Sequence, residues 1–113
     1  MGLYKPQSGL ITIDEKDISE FPNHWKSMIG YVPQEVFLFE GQLKKNIALG
    51  LDVEKISEEK LIEASNAAQI IKFVKNLENS FNSLVEENGR NFSVGQKQRI
   101  GVARALYRNP DIL

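Results

Sequence analysis

Ser93, Gly95 and Gln96 stand together at the head of a run that reads as a basic helix, and their types suit the handling of an anion. Backbone N–H groups in the first turn of a helix lack an intrahelical partner, and the helix dipole makes that end positive. A glycine in that turn lets a phosphate approach the backbone closely. Between Asn88 and Pro110 there are five cations, Arg90, Lys97, Arg99, Arg104 and Arg108, and no acidic residue. At about 100° per residue, Lys97, Arg104 and Arg108 share one face, with Ile100, Val102, Ala103, Leu106 and Tyr107 on the opposite side. Arg104 and Arg108 suit the negative end of the dipole. Lys97 and Arg99 oppose the positive end by about 0.3–1 kcal/mol each, a penalty that something negative at that end reverses. The same residues carry a second reading. Ser93 and Gln96 have the spacing of a capping box, in which each side chain satisfies the other's orphan N–H. On these residues alone, capping and phosphate binding both stay open.

The elements that must position this turn lie upstream. Leu10-Ile11-Thr12-Ile13 reads as a short strand entering a turn at Asp14-Glu15-Lys16-Asp17, with a return from Ile18 that Phe21-Pro22-Asn23 breaks. Ile29-Gly30-Tyr31-Val32 reads as another strand and stops at Pro33, after which Gln34 begins a loop. Val36-Phe37-Leu38-Phe39 is an unusually apolar loop segment. From Ser57, a candidate N-cap followed by Glu58 and Glu59, the apolar residues Leu61, Ile62, Ala64, Ala68 and Ile71 recur near a period of about 3.6, as a half-buried helix requires. Residues 70–77 predict a further helical turn, Asn79 to Asn91 a loop, and 93–108 a last helix that Asn109-Pro110 ends. Strands early and helices late give an α+β chain, mainly α-helical.

Composition bounds the function. The chain has 113 residues, the size of one small domain or of part of a larger one. It has no cysteine, which excludes disulfides, thiolate metal sites and cysteine nucleophiles, and its single histidine, His24, cannot form a histidine cluster. A net charge of −1 argues against general binding to nucleic acid or a membrane surface. No apolar run approaches the ~20 residues that cross a bilayer, so any work at a membrane is expected from its soluble side.

With the motifs in order, the chain resembles an ABC-type ATPase. Phe92-Ser93-Val94-Gly95-Gln96-Lys97-Gln98-Arg99 is similar to that family's signature, whose usual form is LSGGQ followed by basic and glutamine residues. Ile100 to Leu106 is similar to the family's signature helix, and Asn109 to Leu113 to the segment beyond that helix. Ile29-Gly30-Tyr31-Val32-Pro33-Gln34 resembles the strand and Q-loop, and Phe37 to Ala48 the segment after the Q-loop in exporter-type members. Gly2-Leu3-Tyr4 through Asp14 resembles the stretch behind the Walker A helix.

The resemblance implies a partial ATPase domain: a strand-rich part at 1–33, the Q-loop and following segment at 34–47, and a helical subdomain with the signature helix at 48–108. It implies that the central RecA-like parallel sheet is missing. It also implies that Ser93, Val94, Gly95 and Gln96 contact the γ-phosphate of an ATP held by a second ATPase domain. Gln34 is then the catalytic residue that reaches Mg2+ or the attacking water, and the segment after it meets transmembrane domains at the cytoplasmic face of a membrane.

Several positions depart from the pattern. Val94 replaces a glycine and Phe92 a leucine, Glu15 stands at a common turn glycine, Glu78 and Ser80 replace proline and glycine, and Leu84 replaces a glutamate. The chain contains no G-x-x-x-x-G-K-[ST] phosphate loop and ends where the Walker B strand is expected to begin. ATP and Mg2+ are therefore expected in the complete parent, with none held tightly and no hydrolysis by these residues alone. Strands such as 10–13 and 29–32 are expected to lack partners and to pair between chains, as a homo-oligomer or by domain swapping. A soluble ABC ATPase, and more distantly a nucleic-acid module built on the basic helix, are the competing readings. Tyr31 to Gln34 and Phe37 to Phe39 favour the transporter.

Overall fold

A computed structural model describes residues 5–113. The beginning of the stretch that resembles the segment behind Walker A, Gly2-Leu3-Tyr4, lies outside the described residues. The first element is a hairpin, β1 (Thr12–Ile13) with β2 (Lys16–Asp17), antiparallel with Thr12 opposite Asp17. Its turn residues Asp14 and Glu15 have φ of 49° and 64°. That mirror-image turn matches the twist of the flanking strands and usually takes Asn-Gly. Glu15 thus holds the backbone of the glycine expected there.

Pro22 starts a helix where the sequence predicts only a break: α1 spans Pro22–Ser27. Proline at a first helical position loses no hydrogen bond, because that N–H has no intrahelical partner. The predicted strand at 29–32 reduces to one parallel bridge, Ile29 with Ile112. Gly30 N–H donates to Ile112 O at 2.8 Å, and Ile112 N–H donates to Met28 O at 3.0 Å. Gly30 is required by this approach, since a Cβ there comes within 2.7 Å of Pro110 Cγ. Parallel pairing among the described residues is limited to this one bridge, and both described sheets are antiparallel. A longer ladder needs consecutive residues facing each other, and only these two meet.

The second sheet pairs β3 (Gly41–Gln42) with β4 (Leu84–Val85), antiparallel, with Gly41 opposite Val85. Helix α2 (Leu43–Ile47) follows β3 directly. Helix α3 (Glu58–Ala67) begins as its sequence predicts, with Ser57 Oγ accepting from the Lys60 N–H. Helix α4 spans Ile71–Asn76. The predicted loop at 79–91 is more ordered than polarity suggests: 3-10 turns at Ser80–Asn82 and Glu87–Gly89 flank β4. Ser80 has φ 47°, again the backbone of a glycine at a position where glycine was expected. Helix α5 spans Val94–Leu106.

One core joins these helices. Leu38, Leu43, Ile47, Leu61, Val74, Val85 and Ile100 are at most 2% exposed and belong to a single cluster. Burying a side chain of this size contributes about 1.5–3 kcal/mol. Tyr107 seals the far end of α5, its hydroxyl accepting from the Ser57 N–H at 2.9 Å. Trp25 is buried outside that cluster, against the first hairpin. The radius of gyration, 16.2 Å, exceeds the roughly 13 Å of a compact chain of this length, and the molecule is elongated, 54 × 26 × 23 Å. No described helix is long and apolar enough to cross a membrane.

Candidate functional site

The head of α5 is a complete capping box. Gln96 N–H donates to Ser93 Oγ at 3.2 Å, and Ser93 N–H donates to Gln96 Oε1 at 2.8 Å. Both side chains are used in capping, yet the turn is not closed to a ligand. No hydrogen bond engages the N–H groups of Val94 and Gly95 among the described residues. There is no acidic residue in this first turn to satisfy the dipole. Behind the head, Phe92 is buried and its ring meets Phe73 of α4 edge-on at 5.8 Å. The phenylalanine that replaces the usual leucine therefore anchors the helix start.

Gly95 is the informative residue. A Cβ there meets nothing within 4 Å, so no packing inside the chain asks for glycine. Glycine in a helix costs up to about 1 kcal/mol relative to alanine. Val94 is 73% exposed and lines the groove beside Lys97 and Gln98.

The cations expected to welcome an anion are engaged elsewhere. Lys97 Nζ donates to Asn88 O at 3.3 Å and Arg99 Nη1 to Gln69 O at 2.8 Å. Arg90 pairs with Glu86 at 2.7 Å, and Arg108 Nη2 donates to Leu49 O at 3.2 Å. Arg104 is half-buried and donates to Asn46 O at 2.8 Å and Phe37 O at 3.0 Å, and burial lowers its pKa from the ordinary arginine value. Main-chain carbonyl oxygens are the partners of Lys97, Arg99, Arg104 and Arg108. Free N–H groups and the helix dipole make the head of α5 a positive end.

Gln34 is exposed, and its carbonyl accepts a hydrogen bond from the Gln98 side chain. Gln34, Val36 and Asn88 line a groove with Val94, Lys97 and Gln98 of α5. The fold gathers Ser93 to Gln96 into one turn, of which Val94 alone lines the groove that Gln34 lines. No cluster of three or more acidic or histidine side chains able to hold a metal occurs among the described residues. Mg2+ takes six oxygens and retains water and phosphate ligands readily, so Gln34 fits as one oxygen ligand and no more.

The apolar segment after Gln34 divides by residue. Leu38 is fully buried and Val36 packs on the core, whereas Phe37 and Phe39 are 54% and 50% exposed and stack edge-on at 5.0 Å. Sequence reasoning missed Asn46, Gln98, Gly101 and Arg104 as the residues that hold this segment. Two signals were available: a polar Asn46 inside Leu43–Ala48, and a glycine, Gly101, in the middle of a helix.

Unpaired N–H groups beside an unpacked glycine are the features of a helix start at which anions bind. Comparison with known proteins gives the family. The ABC transporter family matches over residues 1–113. The chain is 46% identical over 112 residues to the uncharacterized ABC transporter ATP-binding protein YfiB of Bacillus subtilis (strain 168), covering 98% of this chain and 19% of YfiB. It is 43% identical to multidrug resistance protein 1 of Entamoeba histolytica, covering 97% of this chain and 9% of that protein. Among solved structures, a bacterial Atm1-family ABC exporter with ATP bound superposes with a TM-score of 0.77 at 35% identity, over 95% of this chain and 19% of the exporter. The chain belongs to the ABC transporter family. It spans at most about a fifth of the length of these relatives.

Proposed function

We propose that these residues form the part of an ABC transporter's ATP-binding domain that reads a nucleotide held by a second ATPase domain, in a protein that exports or flips a substrate. In this reading Ser93, Val94, Gly95 and Gln96 receive the γ-phosphate on the free N–H groups of Val94 and Gly95. Residues 34–47 carry the Q-loop, with Gln34 orienting the attacking water or ligating Mg2+. Residues 48–108 are the helical subdomain, and 1–33 the strand-rich part. ATP with Mg2+ supplies the phosphoryl group and its charge-neutralising ion. The chain's own residues position and stabilise: the head of α5 meets the charge that develops on the phosphate oxygens of the nucleotide held by the second domain, and Gln34 reaches Mg2+ or the attacking water. Phe37 and Phe39 form an apolar surface for transmembrane domains at the cytoplasmic face of the membrane.

The observation that carries this reading is Gly95, a helical glycine that no internal contact requires. The test is Gly95→Ala in the complete ATPase. A cap-only helix gains about 0.5 kcal/mol of stability from the better helix former and keeps its activity. A phosphate-reading helix gains the same stability and loses about tenfold or more in ATP turnover, because the methyl group intrudes on the approach. Unchanged turnover in the stabilised variant would sink the proposal.

A further inference from the structure

Three residues of α5, spaced three apart, face the segment that runs from Gln34 to Phe39. Gln98 donates its side-chain N–H to Gln34 O. Gly101 lies so close to Val36 that a Cβ would come within 2.5 Å of Val36 Cγ2. Arg104 Nη2 donates to Phe37 O at 3.0 Å. Positions three apart lie along one side of a helix, so these contacts form one continuous seam.

Arg104 reaches further than its two companions. Its Nε donates to Asn46 O at 2.8 Å, and its Nη2 lies 3.4 Å from Asn46 Oδ1. Asn46 is 1% exposed and holds both main-chain groups of Phe39. It accepts from the Phe39 N–H and donates to the Phe39 carbonyl, each at 2.8 Å. The two exposed aromatic residues are therefore fixed by groups that α5 orients, across 67 residues of sequence in the case of Phe37. Arg104 and the free N–H groups of the helix head ride on one rigid rod, roughly 15 Å apart at about 1.5 Å of rise per residue. Close-packed contacts of this kind shift as units, not by gradual deformation.

We infer that Arg104 is a positioning residue which, directly and through Asn46, ties the Phe37–Phe39 surface to α5, so that nucleotide engagement at the helix head moves the aromatic pair. The inference rests on the reading of Ser93 to Gln96 as the nucleotide contact. A guanidinium suits the task because its planar fork serves Phe37 O and Asn46 together, whereas a lysine ammonium is a compact charge on a flexible stem and lacks that fixed geometry.

The test is hydrogen exchange at the Phe39 amide in a complete ABC polypeptide carrying these residues, with and without Mg·ATP. That amide reports directly, since Asn46 is its acceptor. In the unmodified protein, nucleotide is expected to change its exchange rate about tenfold, within the usual range of coupling between sites. Arg104→Met keeps the apolar stem and is expected to bring the change below about twofold, while ATP affinity and basal hydrolysis stay within about threefold. Arg104→Lys keeps the charge and one contact, and is expected to retain a change of about threefold.

A tenfold nucleotide response in Arg104→Met overturns the inference, as does its absence from the unmodified protein. Loss of ATP affinity in parallel with the response also overturns it, because that pattern marks a merely structural role. If Arg104→Met does not fold, Arg104→Lys decides: a full response there counts against the proposal and a reduced one supports it. Failure of the underlying reading looks different. It appears as ATP turnover insensitive to Gly95→Ala, whatever Phe39 does.

Discussion

The head of α5 and its middle each carry a glycine, and the two glycines answer to opposite neighbours. At Gly95 a Cβ meets open space, whereas at Gly101 it meets Val36 at 2.5 and 3.0 Å. The polar groups divide the same way. Around the head, the N–H groups of Val94 and Gly95 have no partner among the described residues. In the middle and beyond, Gln98, Arg99, Arg104 and Arg108 all donate to main-chain carbonyls of other segments. One helix thus presents its first turn outward and devotes the rest to holding the chain around it. Uniform basic character in the sequence conceals that division of labour.

The largest effect that tests this contrast is expected at Gly101. Gly101→Ala drives a methyl group into Val36 and is expected to lower stability by about 2 kcal/mol in urea denaturation of the ATPase domain, despite the better helix propensity of alanine. Tyr107→Phe comes next. It leaves the Ser57 N–H at the start of α3 without its acceptor, with an expected loss of about 1 kcal/mol by the same measurement. Ser93→Ala removes one arm of the capping box and is expected to cost a similar amount, about 1 kcal/mol. Its turnover should fall further than that stability loss explains, and a loss of turnover that tracks melting alone would return the head to a simple cap. Gly95→Ala has the smallest effect on stability, and the sign is reversed: a gain of about 0.5 kcal/mol. Equal signs for alanine at Gly95 and Gly101 would erase the distinction between the two regions.

Much of the local structure was legible because it depends on neighbours in sequence. Ser57 and Ser93 both cap the helices they were expected to start, since a cap needs only the next three residues. The positions where the chain departs from family glycines, Glu15 and Ser80, keep glycine-like backbone with φ of 64° and 47°. Failures came where distant segments decide. Ile29 to Val32 has the composition of a strand, yet it pairs at one residue only, because strand pairing needs a partner that composition does not supply. Pro22 reads as a breaker when its neighbours alone are considered, but a helix beginning at that residue tolerates it.

For the candidate site the same boundary holds. The sequence by itself determined the head of α5: serine, glycine and glutamine in one turn, capped and free of acidic charge, because those properties are set within four consecutive residues. Arg90 pairs with Glu86 only four residues away, but only the tertiary structure decided what the other four cations do. Their partners, Asn88, Gln69, Asn46, Phe37 and Leu49, lie 9 to 67 residues away, and the carbonyls they seek are present in every residue of the chain. A main-chain acceptor leaves no mark on residue type. The long-range grip of Gln98 on Gln34 and of Arg104 on Phe37 therefore became visible only once the chain had folded.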